Sequence, residues 1–160
     1  MARWERFEGE APQLAAAVRR LLDAHRHKTL ATLRRDGGPR ISGTESEFRD
    51  GDLWFGSMWM ARKAVDLRRD PRFALHSGSE DPPEGDPSTW PGDAKLSGRA
   101  VEVTDPRQVA AAHGGETPQE RSHLFRADID EVVWTRVGTP ADHLLIDLWR
   151  PGAGVRQFKR

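Results

Sequence analysis

Two cations stand side by side at Arg62 and Lys63, just beyond a strand-like run that reaches Gly56-Ser57. Leu53 to Met58 reads as a strand and Ala61 to Arg69 as a helix, so both cations fall in the first turn of that helix. A phosphate placed there would meet free backbone N–H groups, the positive end of the helix dipole and two cationic side chains. Without an anion, cations in a first turn oppose the dipole. The competing reading is a solvated basic helix face, which suits Arg68 and Arg69 near the other end. For Arg62 and Lys63, residue type alone leaves both readings standing. Arg40, on the neighbouring strand, is a candidate third cation, and Ser42 and Thr44 project to the same side at period two. Taken alone, those three are better explained as an ordinary polar strand face.

Other chemistries find little support. The chain has no cysteine, which excludes disulfides, thiolate metal sites and cysteine nucleophiles. Its histidines are His25, His27, His76, His113, His123 and His143. None is paired at helical i, i+4 spacing with another ligand type, so no metal site is expected. Ser57 follows a glycine but lies in no GxSxG elbow. No GxGxxG follows a strand and no Walker loop is present, which argues against Rossmann and P-loop nucleotide sites. Trp59 and Trp149 are candidates for stacking on a planar ligand, although core packing explains them better. No catalytic acid or base can be assigned.

At 160 residues the chain suits one domain spanning 1–160. A core of that size can bury a ligand edge at a groove or between subunits, but not a large enclosed active site. Basic and acidic residues balance at 25 each, which argues against a nucleic-acid partner. No run approaches the roughly 20 apolar residues of a membrane span. The N-terminus carries no signal-like apolar segment, so a cytoplasmic location is expected.

The positioning elements follow from hydrophobic period. Residues 12–25 read as an N-terminal amphipathic helix, with Leu14, Val18, Leu21 and Leu22 on one face. Thr29–Leu33, Arg40–Phe48 and Leu53–Met58 read as strands joined at Asp36-Gly37-Gly38 and Asp50-Gly51, an antiparallel meander. The helix at Ala61–Arg69 stops at Asp70-Pro71, and Arg72–Ser77 is a strand. Residues 78–92, rich in proline, glycine and acids, form a long loop. Lys95–Val103 is a strand in which Gly98 marks a bulge or a close backbone approach. Asp105-Pro106 opens a helix, and the capping-box pattern Thr117-Pro118-Gln119-Glu120 opens another, reaching about Arg126. Glu131–Val137, His143–Trp149 and Val155–Phe158 complete about seven strands in hairpin order. The expected fold is mainly β: an antiparallel barrel with flanking helices.

The order and spacing of these segments resemble the FMN-binding split-barrel superfamily that includes pyridoxamine 5'-phosphate oxidase and the flavin/deazaflavin-dependent oxidoreductases. The resemblance rests on Lys28-Thr29-Leu30-Ala31-Thr32-Leu33, Asp36-Gly37-Gly38-Pro39-Arg40-Ile41-Ser42, Asp52-Leu53-Trp54-Phe55-Gly56-Ser57, Ala61-Arg62-Lys63 and Asp66-Leu67-Arg68-Arg69-Asp70-Pro71-Arg72. It covers about residues 15 to 104, and the ending Trp149-Arg150-Pro151-Gly152 also resembles smaller members. It implies a split barrel and a homodimer with the cofactor at the subunit interface. It further implies that Ala61, Arg62 and Lys63 hold the FMN phosphate, Gly56 and Ser57 meet the ribityl-phosphate, and Arg40, Ile41, Ser42, Gly43 and Thr44 contact the cofactor.

Two departures matter. The glutamine contact of the superfamily falls near Asp93 or Lys95, where no glutamine stands. The arginine-histidine substrate motif of the oxidase is missing from Val155-Arg156-Gln157-Phe158-Lys159-Arg160, which argues against pyridoxamine phosphate as the substrate. The resemblance therefore implies an FMN-binding oxidoreductase acting on an unknown small molecule, with a nicotinamide as a possible electron donor. The alternatives are a reductase using the 8-hydroxy-5-deazaflavin coenzyme, or a non-catalytic protein that binds or stores flavin, deazaflavin or haem.

Overall fold

The computed structural model describes residues 1–112 and 122–160. Two helices, α1 (Trp4–Glu10) and α2 (Pro12–Ala24), precede strands β1 (His27–Leu33), β2 (Pro39–Arg49) and β3 (Asp52–Met58). Helix α3 (Arg62–Arg69) leads into β4 (Arg72–His76), and β5 (Asp93–Val103) is followed by α4 (Pro106–Ala112). Strands β6 (Ser122–Val137), β7 (Leu144–Arg150) and β8 (Gly154–Lys159) end the chain. All pairings are antiparallel. The order is β3-β2-β1-β4-β5-β6-β7-β8, and a further β3–β6 pairing closes the first six strands into a barrel. The expected mainly β split barrel with flanking helices is the fold observed.

Strand β6 makes the closure possible. Its first residues, Ser122 to Arg126, pair with β3, while Val132 to Val137 pair with β7. One long strand thus seals the barrel at one end and carries the β7–β8 extension at the other. The helix expected from Thr117 to about Arg126 has its capping box outside the described residues, and from Ser122 onward the chain is strand instead. Cross-strand pairing overrides the local cap signal, because Phe125 points into the core beside Phe55 while Leu124 points outward. That alternation suits a strand buried on both faces.

Helix α1 was not expected, since the sequence start reads as a charged segment. Its apolar content is just Trp4 and Phe7, too little to show a helical period. Both are fully buried and join Phe48 and Trp149 in one aromatic cluster. Each such side chain contributes about 1.5–3 kcal/mol by leaving water. Trp149 is therefore a core residue, with its indole N–H on Glu10 at 3.2 Å. Helix α2 buries Leu14, Val18, Leu21 and Leu22, the face its spacing predicts.

Turn chemistry matches the sequence at Asp50-Gly51, where both residues take positive φ (52° and 74°) and join β2 to β3. Gly98 sits at a register shift between β5 and β6. A Cβ there would lie 2.0 Å from the Asp128 carbonyl oxygen, so backbone approach dictates glycine. Replacing Gly98 with alanine is expected to lower stability by about 1–3 kcal/mol, read as a lower urea midpoint. A midpoint equal to the parent would show that the bulge does not need the close approach.

Candidate functional site

The site is built around α3. Its hydrophobic contacts are few: Ala64 and Leu67 are buried against the barrel. Polar bonds fix its orientation. Asp66 is buried and accepts hydrogen bonds from the Thr32 hydroxyl of β1 at 3.0 Å and from Arg40 Nε of β2 at 2.6 Å. Arg69, one turn on, lies 3.4 Å from the same carboxylate and also donates to the Leu33 carbonyl. Burial works to raise the Asp66 pKa, but the bonds from Arg40 and Thr32 and the charge of Arg40 hold it below the usual carboxylate range.

These bonds aim the N-terminus of α3 at β2. Its N-cap is Ala61, which has no side chain to cap the free N–H groups of the first turn. Met60, just before, takes a left-handed φ of 55°. Lys63 is partly buried and donates to the Gly43 carbonyl at 2.7 Å. Burial lowers its pKa, and the nearby Glu45 opposes that shift. Arg62 is exposed, and among the described residues its guanidinium meets no carboxylate. The first turn thus gathers uncapped N–H groups and two cations, an arrangement that fits a bound anion.

Beside this turn lies a cavity of about 540 Å³ on the outer side of β2, β3 and β6. Gly43, Thr44, Gly56, Ser57 and Lys63 line it, so the structure brings five of the sequence-predicted residues together. A Cβ added at Gly43 would meet nothing within 4 Å, which leaves room for a ligand against the strand. Arg40, Ile41, Ser42, Ala61 and Arg62 are not among the lining residues. Arg40 and Ser42 lie on the opposite side of β2 from Ile41 and Gly43, and Arg40 is committed to Asp66. Ile41 points outward and is 75 % exposed. Asp93 and Lys95 also lie away from the cavity, with Asp93 3.6 Å from His76.

Sequence reasoning missed several lining residues. His27, Glu45 and Glu47 bring titratable groups to the cavity, and Trp54 and Leu124 form its apolar wall with Val109 of α4 behind them. Alternation along β2 would have placed Glu45 and Glu47 beside Gly43. Ser122, a neighbour of Met58 across β3–β6, also lines the cavity. Its hydroxyl oxygen is buried without a hydrogen-bond partner among the described residues. A polar ligand atom would satisfy it.

Comparison with known proteins agrees with the fold. The family model described as pyridoxamine 5'-phosphate oxidase matches residues 14–134. A conserved hypothetical protein of Mycobacterium tuberculosis superposes with a TM-score of 0.58 at 22% identity, over 73% of this chain and 81% of that one. The General Stress Protein 26 of Bacillus anthracis gives 0.56 at 15%, over 74% and 91%. A solved F420 reductase gives 0.50 at 16%, over 70% and 92%. No curated protein matches the chain.

The depressed Asp66 pKa sets a pH dependence. Its contribution to stability is complete above the ordinary aspartate value of about 4 and fades as pH falls through the lower native value. Asp66→Asn is expected to cost about 3 kcal/mol at neutral pH, with the gap to the parent narrowing below about pH 4. Urea midpoints across that range give the measurement, and a gap that stays constant would contradict the assignment.

Proposed function

The chain belongs to the pyridoxamine 5'-phosphate oxidase family, and on that premise we propose that it binds FMN and acts as an oxidoreductase on a small molecule. Members of this family typically bind a flavin. The observation that carries the proposal is the uncapped first turn of α3, with Arg62 and Lys63, opening beside the cavity. Arg62, Lys63 and the N–H groups after Ala61 hold the phosphate. Gly56, Ser57, Gly43 and Thr44, which line the cavity, would contact the rest of the cofactor, and Ser122 would offer it a hydroxyl. Arg40 serves indirectly, by holding Asp66 and so the helix; Ile41 and Ser42 complete the strand that supports the cofactor. Bound there, the flavin supplies two-electron redox chemistry, with a reduced nicotinamide as donor.

The cofactor groove is completed by a second copy of the chain. Ile41, Met58, Trp59 and Met60 are each more than half exposed, an unusual concentration of apolar side chains around one site. A homodimer burying them would also cover the cavity mouth. A deazaflavin coenzyme is the alternative occupant, supported by the shared fold of the F420 reductase. Both cofactors carry a phosphate, so the α3 turn serves either.

A flavin or deazaflavin absorbance band in the purified protein is the first expected result, and a protein that takes up neither on titration would overturn the proposal. Replacing Arg62 or Lys63 with alanine is expected to weaken FMN binding about 10- to 100-fold, through loss of a charge-assisted bond. Unchanged affinity would remove the phosphate role. Sedimentation is expected to show a dimer that Ile41→Glu shifts towards monomer; a parent chain that sediments as a monomer would contradict the dimer.

A further inference from the structure

The turn that presents the α3 N-terminus is held by a side chain from the far side of the barrel closure. His123 of β6 is almost completely buried, with 2% exposure. Its Nε2 lies 3.2 Å from the backbone N of Met60. A backbone amide only donates, so Nε2 accepts and the ring proton sits on Nδ1. That Nδ1–H points at Glu102 Oε1, 2.6 Å away. Glu102 in turn lies 3.1 Å from Arg68 of α3. The chain of bonds thus runs from the body of α3 through β5 and β6 and returns to the turn that leads into α3.

Two further features point the same way. Met60 has the left-handed φ of 55°, a conformation that costs a non-glycine residue energy and persists only where its surroundings enforce it. Trp59 lies flat on His123, 4.7 Å between ring centres and 5° between planes, while remaining 52% exposed. Residues 59 and 60 are therefore both seated on one imidazole. Ala61 follows, and then the N–H groups of Arg62, Lys63 and Ala64.

We propose that His123 is the positioning residue of the anion site: its Nε2 bond to Met60 holds the turn that directs the α3 N–H groups at the cofactor phosphate. The proposal rests on the phosphate-site reading above. It does not give His123 any contact with the cofactor or any step in the chemistry. Glu102 sets the tautomer, and Arg68 ties Glu102 to the same helix.

The test uses two isosteric halves of the imidazole in the full-length protein. In His123→Gln the side-chain oxygen replaces Nε2 and keeps the acceptor for Met60. In His123→Asn the amide reaches the Nδ1 position and keeps a donor for Glu102 but loses that acceptor. FMN and riboflavin, which differ by the phosphate, are titrated into parent and variants by flavin fluorescence, and hydrogen exchange of residues 59–64 is followed without ligand. His123→Asn is expected to weaken FMN about three- to tenfold while riboflavin is unaffected, and to speed exchange at Met60. His123→Gln is expected to restore both. Equal losses for FMN and riboflavin, or parent-like FMN affinity in His123→Asn, would overturn the proposal. If the parent binds neither flavin, the FMN reading fails, and exchange alone decides the positioning role. Faster Met60 exchange in His123→Asn with rescue in His123→Gln would support it, and unchanged exchange would end it.

Discussion

The Asp66 carboxylate is the constraint on which the site depends. Helix α3 is eight residues long and buries little apolar surface, so packing alone would leave it free to rotate on the barrel. One buried carboxylate removes that freedom by taking bonds from β1 and β2 together. A bond to a charged partner contributes more than a neutral one, and leaving Arg40 unpaired in a half-buried setting would be costly. The direction of α3 is therefore set by electrostatics, and the direction of α3 decides where its uncapped end points.

That end is held from two sides. Asp66 anchors the helix body, and His123 receives the Met60 amide at the entry turn. Neither side chain lines the cavity; both hold the helix and the turn beside it. The residues that do line it bring a glycine with open space above it, a buried hydroxyl without a partner among the described residues and a partly buried lysine bonded to the Gly43 carbonyl. A phosphorylated ligand with hydrogen-bonding groups and a flat ring would fit these three features together.

Much of this was legible in the sequence. Hydrophobic alternation and the Asp50-Gly51 turn revealed the meander, and Gly98 signalled the close approach of β5 and β6. The cation pair was legible because two neighbouring charges in a first turn are visible without any tertiary knowledge. Arg40 was harder. Its type suggested a phosphate contact, but its partner Asp66 lies on an element whose docking no local pattern encodes. Helix α1 rests on two aromatic residues whose burial depends on β2 and β7. The start of β6 carried strand-forming residues next to a helix-capping signature, and pairing with β3 decided the matter. His123 was one of six histidines until the barrel closure set it beside Met60.

The central claim is that the α3 N-terminus binds the phosphate of the cofactor. Amide chemical shifts in an isotope-labelled protein test it most directly, with FMN and riboflavin added in separate titrations. The account predicts that FMN moves the amides of Arg62, Lys63 and Ala64 strongly, and that riboflavin leaves them in place while still moving Gly43. FMN binding that leaves those three amides unmoved would contradict it.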